Sequence, residues 1–211
     1  MSGESWNKYV FRDGRFIGQF EEMYQANRDP WYQKDAAVHQ RTRLLMSDVI
    51  RRSYSGKRVV ELGCGEGHLA ATFLGSTKAY LGVDVSETAI ERAHSYYPEG
   101  EFQVGHFRNY ATILPGADFV LLSDVIWYVL DHLNSFVSWL RAGNCTADIG
   151  AILTFYPEGE QRYGREYFTN PQQFRDYMQL DYMEFGDIYQ EGHGFSSYFV
   201  GRAPTPADKR V

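Results

Sequence analysis

The sequence predicts an α/β fold in which strands and helices alternate around a mostly parallel sheet. Three stretches carry that expectation. Arg58 to Leu62 reads as a buried strand that runs into a glycine-rich turn and then a helix from about Glu66 through Leu74. Asp118 to Val125 is near-continuously apolar, as a central parallel strand covered on both faces should be. Tyr182 to Gln190 and Ser196 to Arg202 read as two β runs joined by Glu191-Gly192-His193-Gly194, an antiparallel hairpin at the end of the chain.

The remaining elements follow in order. Met1 to Gly18 has no clear periodicity and reads as an ordered arm or a frayed tail. Phe20 to Asn27 has helical character with Phe20, Met23 and Tyr24 on one side, and Asp29-Pro30 stops it. Ala36 to Tyr54 reads as a long amphipathic helix with Val38, Leu44, Leu45, Val49 and Ile50 as its apolar stripe. Arg41, Arg43, Arg51 and Arg52 form its solvated face. Ala79 to Asp84 is the second core strand. Ser86 caps the next helix, with Ala89 at the third helical position. Glu101 to Gly105 is the third strand, and it ends in His106-Phe107. After the apolar fourth strand, Asp131 caps a helix over Leu133 to Ala142. Ile149 to Tyr156 is the fifth strand, and Pro157 to Gly164 is a polar loop that can wall an acceptor site. Asn170 caps a helix begun by Pro171. Ala203 to Val211 reads as a loose tail. The organisation expected is an N-terminal helical arm and cap over residues 1–56, one catalytic domain over 57–203 and a tail over 204–211.

Composition narrows the function classes. The chain has 211 residues, enough for one domain with extensions, and a formal net charge of −6 with no basic stripe. Nucleic acid is therefore disfavoured as a partner, and a small molecule is expected. Aromatic residues reach 16%, with 16 Tyr and 14 Phe, which fits either a ring-lined pocket or plain packing. Two cysteines, Cys64 and Cys145, suggest neither a disulfide framework nor a metal site. Without an apolar leader or a membrane-length run, the expected place is the cytoplasm.

The glycine spacing decides between cofactors. Gly63, Gly65 and Gly67 give G-x-G-x-G, with His68 where a dinucleotide fingerprint has its third glycine. Glu61 beside the turn would repel a pyrophosphate but can receive a cation. S-adenosylmethionine (SAM) carries a sulfonium and an ammonium and no phosphate. Asp84 closes the second strand 17 positions after Gly67, where a carboxylate can accept from both ribose hydroxyls.

The pair E-L-G-C-G-E-G (61–67) and G-V-D-V-S (82–86) resembles the first two motifs of class I SAM-dependent methyltransferases. The resemblance covers roughly Lys57 to Phe155. It implies a Rossmann-like seven-stranded fold with helices on both faces and SAM as cofactor. It implies cofactor contacts from Glu61, Gly63, Cys64, Gly65, Gly67, His68, Asp84, Val85, His106, Phe107 and Ser123. In related enzymes an acid commonly stands where this chain has His106 and accepts from the adenine amino group. A second stretch, F-x-x-M-Y-x-x-N-x-D-P-W (20–31), resembles a subgroup that includes the rhizobial nodulation-type sugar N-methyltransferases, as does S-D-V-x-x-Y (123–128). That likeness puts Tyr24, Asp29 and Trp31 near SAM and makes methyl transfer to N or O of a small polar acceptor, with a sugar or glycan intermediate leading, the expected reaction.

Methyl transfer is an in-line displacement from an already activated donor, so the protein mainly aligns the reactants and excludes water. Any general base must sit within hydrogen-bond reach of the acceptor. Asp124, at the end of the fourth strand, is the first candidate, for that role or for orienting the acceptor or the SAM ammonium. His193, Tyr128 and His132 follow. An aromatic or natural-product acceptor is the alternative within the class. A catalytically silent SAM-fold module that binds a partner is the reading from another class.

Overall fold

The computed structural model describes residues 7–13, 15–33, 37–157, 159–190 and 194–204. A short helix α1 (Asn7–Val10) and a two-stranded hairpin, β1 (Phe11–Arg12) with β2 (Arg15–Phe16), lead into α2 (Phe20–Ala26) and α3 (Ala37–Ser53). The core then runs β3 (Arg58–Leu62), β4 (Ala79–Asp84), α4 (Glu87–Tyr96), β5 (Glu101–Val104), α5 (Tyr110–Ile113), β6 (Phe119–Ser123), α6 (Leu130–Trp139), β7 (Asp148–Thr154), α7 (Pro171–Met178), β8 (Asp181–Gln190) and β9 (Gly194–Arg202). The sheet order is β5-β4-β3-β6-β7-β9-β8. β3 to β7 pair in parallel, and β9 runs antiparallel to both β7 and β8. This is the seven-stranded, mostly parallel sheet with a terminal antiparallel pair that the sequence implied. Among the described residues no helix is long and apolar enough to cross a membrane.

Strand alternation sorts the core into two layers. Val60, Leu62, Val120 and Leu122 pack with Leu133 and Phe136 of α6 and Phe174 and Met178 of α7. Val59, Phe119 and Leu121 face Met46, Val49 and Ile50 of α3 and Ile90 and Ala93 of α4. Chain direction across the sheet reverses at β3, which has β4 on one side and β6 on the other. In open α/β sheets, ligands bind outside the carboxyl ends of the strands at such a point.

Local chemistry explains the caps. Ser86 Oγ accepts from Ala89 N at 3.1 Å, and Asn170 Oδ1 accepts from Gln173 N at 2.9 Å with Pro171 opening α7. Both caps stand where the sequence placed them.

Three expectations are corrected. No α-helix follows the glycine turn; Ala70–Thr72 and Leu74–Ser76 are two short 3₁₀ turns. Thr72 Oγ1 donates to Leu69 O at 2.7 Å, Ser76 Oγ to Phe73 O at 2.7 Å and Thr77 Oγ1 to Leu74 O at 3.0 Å. These hydroxyls capture the carbonyls that a longer helix would need, and the i→i+3 spacing wins. The stripe of α3 is rotated as well. Leu44 is 52% exposed and Leu45 39%, while Thr42, Met46, Ser47, Val49 and Ile50 are buried. Thr42 shares a 2.8 Å hydrogen bond with Ser196, so small hydroxyl residues let the helix approach β9. Asp131 lies inside α6, whose cap residue, Val129, makes no side-chain cap bond. His193, the rest of the 191–193 turn and residues 205–211 of the tail lie outside the described residues.

Gly150 on β7 packs tightly against Phe119 and against Met46 of α3. A Cβ there would stand 2.3 Å from Phe119 Cζ and 3.1 Å from Met46 Sδ. Gly150→Val should therefore cost about 2 kcal/mol of stability through overpacking, read as a lowered urea midpoint with an unchanged slope.

Candidate active site

A cavity of about 760 Å³ opens at the carboxyl ends of β3, β4 and β6. One side is built by the glycine turn and the tip of β4. The amides of Gly63 and Cys64 both donate to Val83 O, at 2.7 and 3.1 Å, and Gly67 N donates to Cys64 O at 3.0 Å. Gly65 N donates to Asp84 Oδ2 at 2.9 Å, and Ser86 N to Asp84 Oδ1 at 3.0 Å. The amides of Gly63, Cys64, Gly65 and Gly67 are thus bonded inside the protein. The turn is not the nest of free N–H groups that a phosphate needs. The sequence expectation of free amides at a helix start is corrected for these four, whose acceptors are Val83 O, Cys64 O and Asp84 Oδ2. What the turn does provide is closeness. A Cβ on Gly63 would stand 2.4 Å from Val125 Cγ2, and one on Gly65 would stand 2.7 Å from Tyr24 Oη. Both glycines have positive φ, at 81° and 54°.

Asp84 lines the cavity beside Val85. Burial raises its pKa above the ordinary carboxylate value, and the amides of Ser86 and Gly65 pull it back. A carboxylate held by two amides keeps further lone pairs for hydroxyl donors. His106 and Phe107 line the next stretch of wall, and Phe107 is braced by Phe136 at a ring distance of 5.2 Å. Ser123 also lines it; its Oγ is buried and has no hydrogen-bond partner among the described residues. A buried, unpaired hydroxyl facing a cavity suits a ligand that supplies the missing bond.

Asp124 lines the cavity with φ at 53°, a left-handed conformation that Asp tolerates better than most residues. Its Oδ1 accepts from Thr154 N and Thr154 Oγ1, both at 3.1 Å. The neighbouring strand β7 therefore fixes this carboxylate. Tyr128 belongs to a wall of rings with Phe16, Phe20 and Trp31. Their centroids lie 5.3 Å (Phe20), 5.4 Å (Trp31) and 6.3 Å (Phe16) from that of Tyr128. Trp31 Nε1 donates to Tyr24 Oη at 3.0 Å. Burial, followed by the nearby charge of Asp84, pushes the Tyr24 phenol well above its usual value, so it stays protonated and acts as a hydrogen-bonding group.

Four motif residues stand behind the wall. Strand alternation turns Glu61 into the α3–α4 layer, where its Oε2 accepts from Tyr80 Oη at 2.7 Å. Cys64 is buried, and burial lifts its thiol well above the usual value, which leaves it inert. Gly67 is packed against Phe102. His68 pairs with Tyr97 Oη at 2.8 Å and with Glu66 Oε2 at 3.1 Å. Asp29 accepts from Gln33 N at 2.8 Å and shapes the turn after α2. Of the catalytic candidates, Asp124, Tyr128 and His132 line the cavity.

Sequence reasoning missed Arg43, which lines the cavity with a buried Nε that has no hydrogen-bond partner among the described residues. The signal was present: Arg43 sits three positions before Met46 and seven before Ile50, on the inward side of α3. Phe16 was also missed, because two-residue strands leave no periodic trace.

This fold is the one shared by solved methyltransferase structures. Residues 60–145 match the family described as a methyltransferase domain, and SAM is the cofactor of that domain. Among solved structures, the chain is similar to the N-methyltransferase NodS of Bradyrhizobium japonicum in complex with S-adenosylhomocysteine. The TM-score is 0.68 at 16% identity, over 88% of this chain and 97% of that one. It is also similar to a chain from the complex of the Haloferax volcanii Trm112 methyltransferase activator with a methyltransferase (TM-score 0.65, 17% identity, 87% and 97% covered). A third likeness is to the PH0226 protein of Pyrococcus horikoshii (TM-score 0.64, 17% identity, 88% and 100% covered). No curated protein sequence matches the chain.

Glu61 gives a pH signature to the fold beneath the site. Burial, partly offset by the Tyr80 hydrogen bond and Arg43, raises its pKa from 4.5 to about 7. The folded state then holds a proton that the unfolded chain releases, so stability falls as pH rises from about 4.5 through about 7. Glu61→Gln keeps an oxygen for Tyr80 and removes that titration. The slope of the urea midpoint against pH should flatten across this window; an unchanged slope would mean that Glu61 is not the titrating group.

Proposed function

We propose that the chain transfers a methyl group from SAM to the nitrogen of a small polar acceptor, with an amine-bearing sugar or glycan intermediate as the leading class. The observation that carries this reading is the composition of one cavity. Asp84, the glycine turn and Ser123 form a polar side, and Phe16, Phe20, Trp31 and Tyr128 form a wall of rings. When bound, SAM supplies a methyl group already activated on a sulfonium.

The chain's own residues do the rest. Asp84 offers acceptor lone pairs to the ribose hydroxyls. The bare glycine backbone at 63 and 65 admits the nucleoside without a Cβ in its path. Phe107 offers an apolar face and His106 a ring nitrogen to the base. Arg43 offers its guanidinium to the carboxylate of the amino-acid portion. Asp124, held by Thr154, orients the acceptor nitrogen by accepting from its N–H. The rings stabilise positive charge that develops on that nitrogen and exclude water around it. N-methylation is supported by the likeness to NodS, itself an N-methyltransferase, and by the ring wall. The same rings favour a flat aromatic or natural-product scaffold as the second reading. Residues 1–56 act in this scheme as an arm that caps the cofactor, and 57–203 carry the chemistry.

Calorimetry with S-adenosylhomocysteine should give a single site, and NAD should give no heat. Asp84→Asn should weaken that binding about tenfold to hundredfold, the equivalent of about 1.5–3 kcal/mol for hydrogen bonds to a charged acceptor. Asp124→Asn should lower turnover by at least about tenfold while cofactor affinity stays within about threefold. Methyl transfer from labelled SAM to amino sugars, sugar nucleotides and aromatic amines, followed by mass spectrometry, separates the acceptor classes. Failure of the wild type to bind S-adenosylhomocysteine would overturn the reading.

A further inference from the structure

Arm residues that line the cavity, Phe20, Tyr24 and Trp31, belong to or follow α2, a helix of seven residues. A helix that short is not stable by itself, so it depends on its anchors. At its start, the Glu21 carboxylate accepts from Ser86 Oγ and Thr88 Oγ1, both at 2.6 Å, and from Thr88 N at 3.2 Å. At its end stands Arg92, on α4. Arg92 Nη2 donates to Tyr24 O at 2.8 Å and Nη1 to Asn27 O at 2.9 Å. These are carbonyls that the end of a helix leaves without an internal partner. The same Nη1 donates to Glu66 Oε1 at 2.8 Å. Glu66 lies in the glycine turn, its side chain is only 2% exposed, and its other oxygen is paired with His68. One guanidinium therefore joins the end of α2 to the glycine turn.

We propose that Arg92 is a positioning residue that clasps the N-terminal arm to the cofactor turn. Tyr24 Oη and Gly65 stand in contact because of it, and the ring wall is held in register with the cofactor side. The planar fork explains the choice of residue. An ammonium presents one point charge, whereas Arg92 reaches two carbonyls and a carboxylate at once. Cofactor affinity and the order of the arm are then coupled through a side chain that does not line the cavity. This inference rests on the SAM reading for its ligand but not for its geometry.

Two measurements on the full-length chain separate the possibilities, with Arg92→Met removing the fork and Arg92→Lys keeping a charge opposite Glu66. Amide hydrogen exchange should show α2 opening at least tenfold faster in Arg92→Met, while β3, β4 and β6 keep their wild-type rates. S-adenosylhomocysteine binding by calorimetry should weaken about tenfold in Arg92→Met, and the Lys variant should recover part of both effects. Should Arg92→Met fail to fold, the Lys variant carries the same test with a smaller expected change. Equal acceleration of the central strands, or wild-type exchange in α2, would overturn the proposal. Absence of S-adenosylhomocysteine binding in the wild type would overturn the cofactor reading alone, because the exchange measurement needs no ligand.

Discussion

The bond from Gly65 N to Asp84 Oδ2 ties two strand ends together, and the rest of the site depends on it. β3 and β4 are neighbours in a parallel pair, so their carboxyl ends emerge side by side. A glycine turn after β3 has no fixed shape of its own. Asp84 gives it one, taking the amide of Gly65 with one oxygen and that of Ser86 with the other. The first bond sets the turn, and the second starts α4. Both bonds hold a buried carboxylate at the edge of the cavity. The conformation needs positive φ at Gly63, Gly65 and Gly67, which any side chain would resist.

Around that bond the protein keeps two kinds of chemistry apart within one cavity. The polar side comes from strand ends and is tied to the sheet by backbone and side-chain hydrogen bonds. The ring wall comes from the arm and from the segment after β6, and it is held by packing and by a few polar anchors. Glu21 and Arg92 fasten α2 to α4 at its two ends. Under the proposed function, the strand ends hold the cofactor and the separately anchored arm shapes the acceptor side, so the arm alone can change the acceptor.

Much of this was legible in the chain. The strand spans, the Ser86 and Asn170 caps, the cavity positions of Asp84, His106, Phe107, Ser123 and Asp124 and the closing antiparallel pair all follow from spacing, turn chemistry or motif. What was misread has a common cause. The helix after the glycine turn, the face of α3 and the position of Glu61 were inferred from residue type along one segment, whereas each is decided by another segment. Ser and Thr hydroxyls bend the first, β9 draws Thr42 of the second inward, and strand alternation turns the third into the α3–α4 layer beside Tyr80.

The sequence by itself determined the class of fold and the polar half of the site, because glycine spacing, capping residues and apolar runs are local and leave a periodic mark. Only the tertiary structure decided the ring wall, the inward turn of Arg43 and the hydrogen bonds from Arg92 to the end of α2. Phe16, Trp31 and Tyr128 are far apart in the chain and meet because the arm folds back over the sheet. No local pattern encodes such a meeting, since it comes from the packing of the whole chain and not from the preference of any one segment.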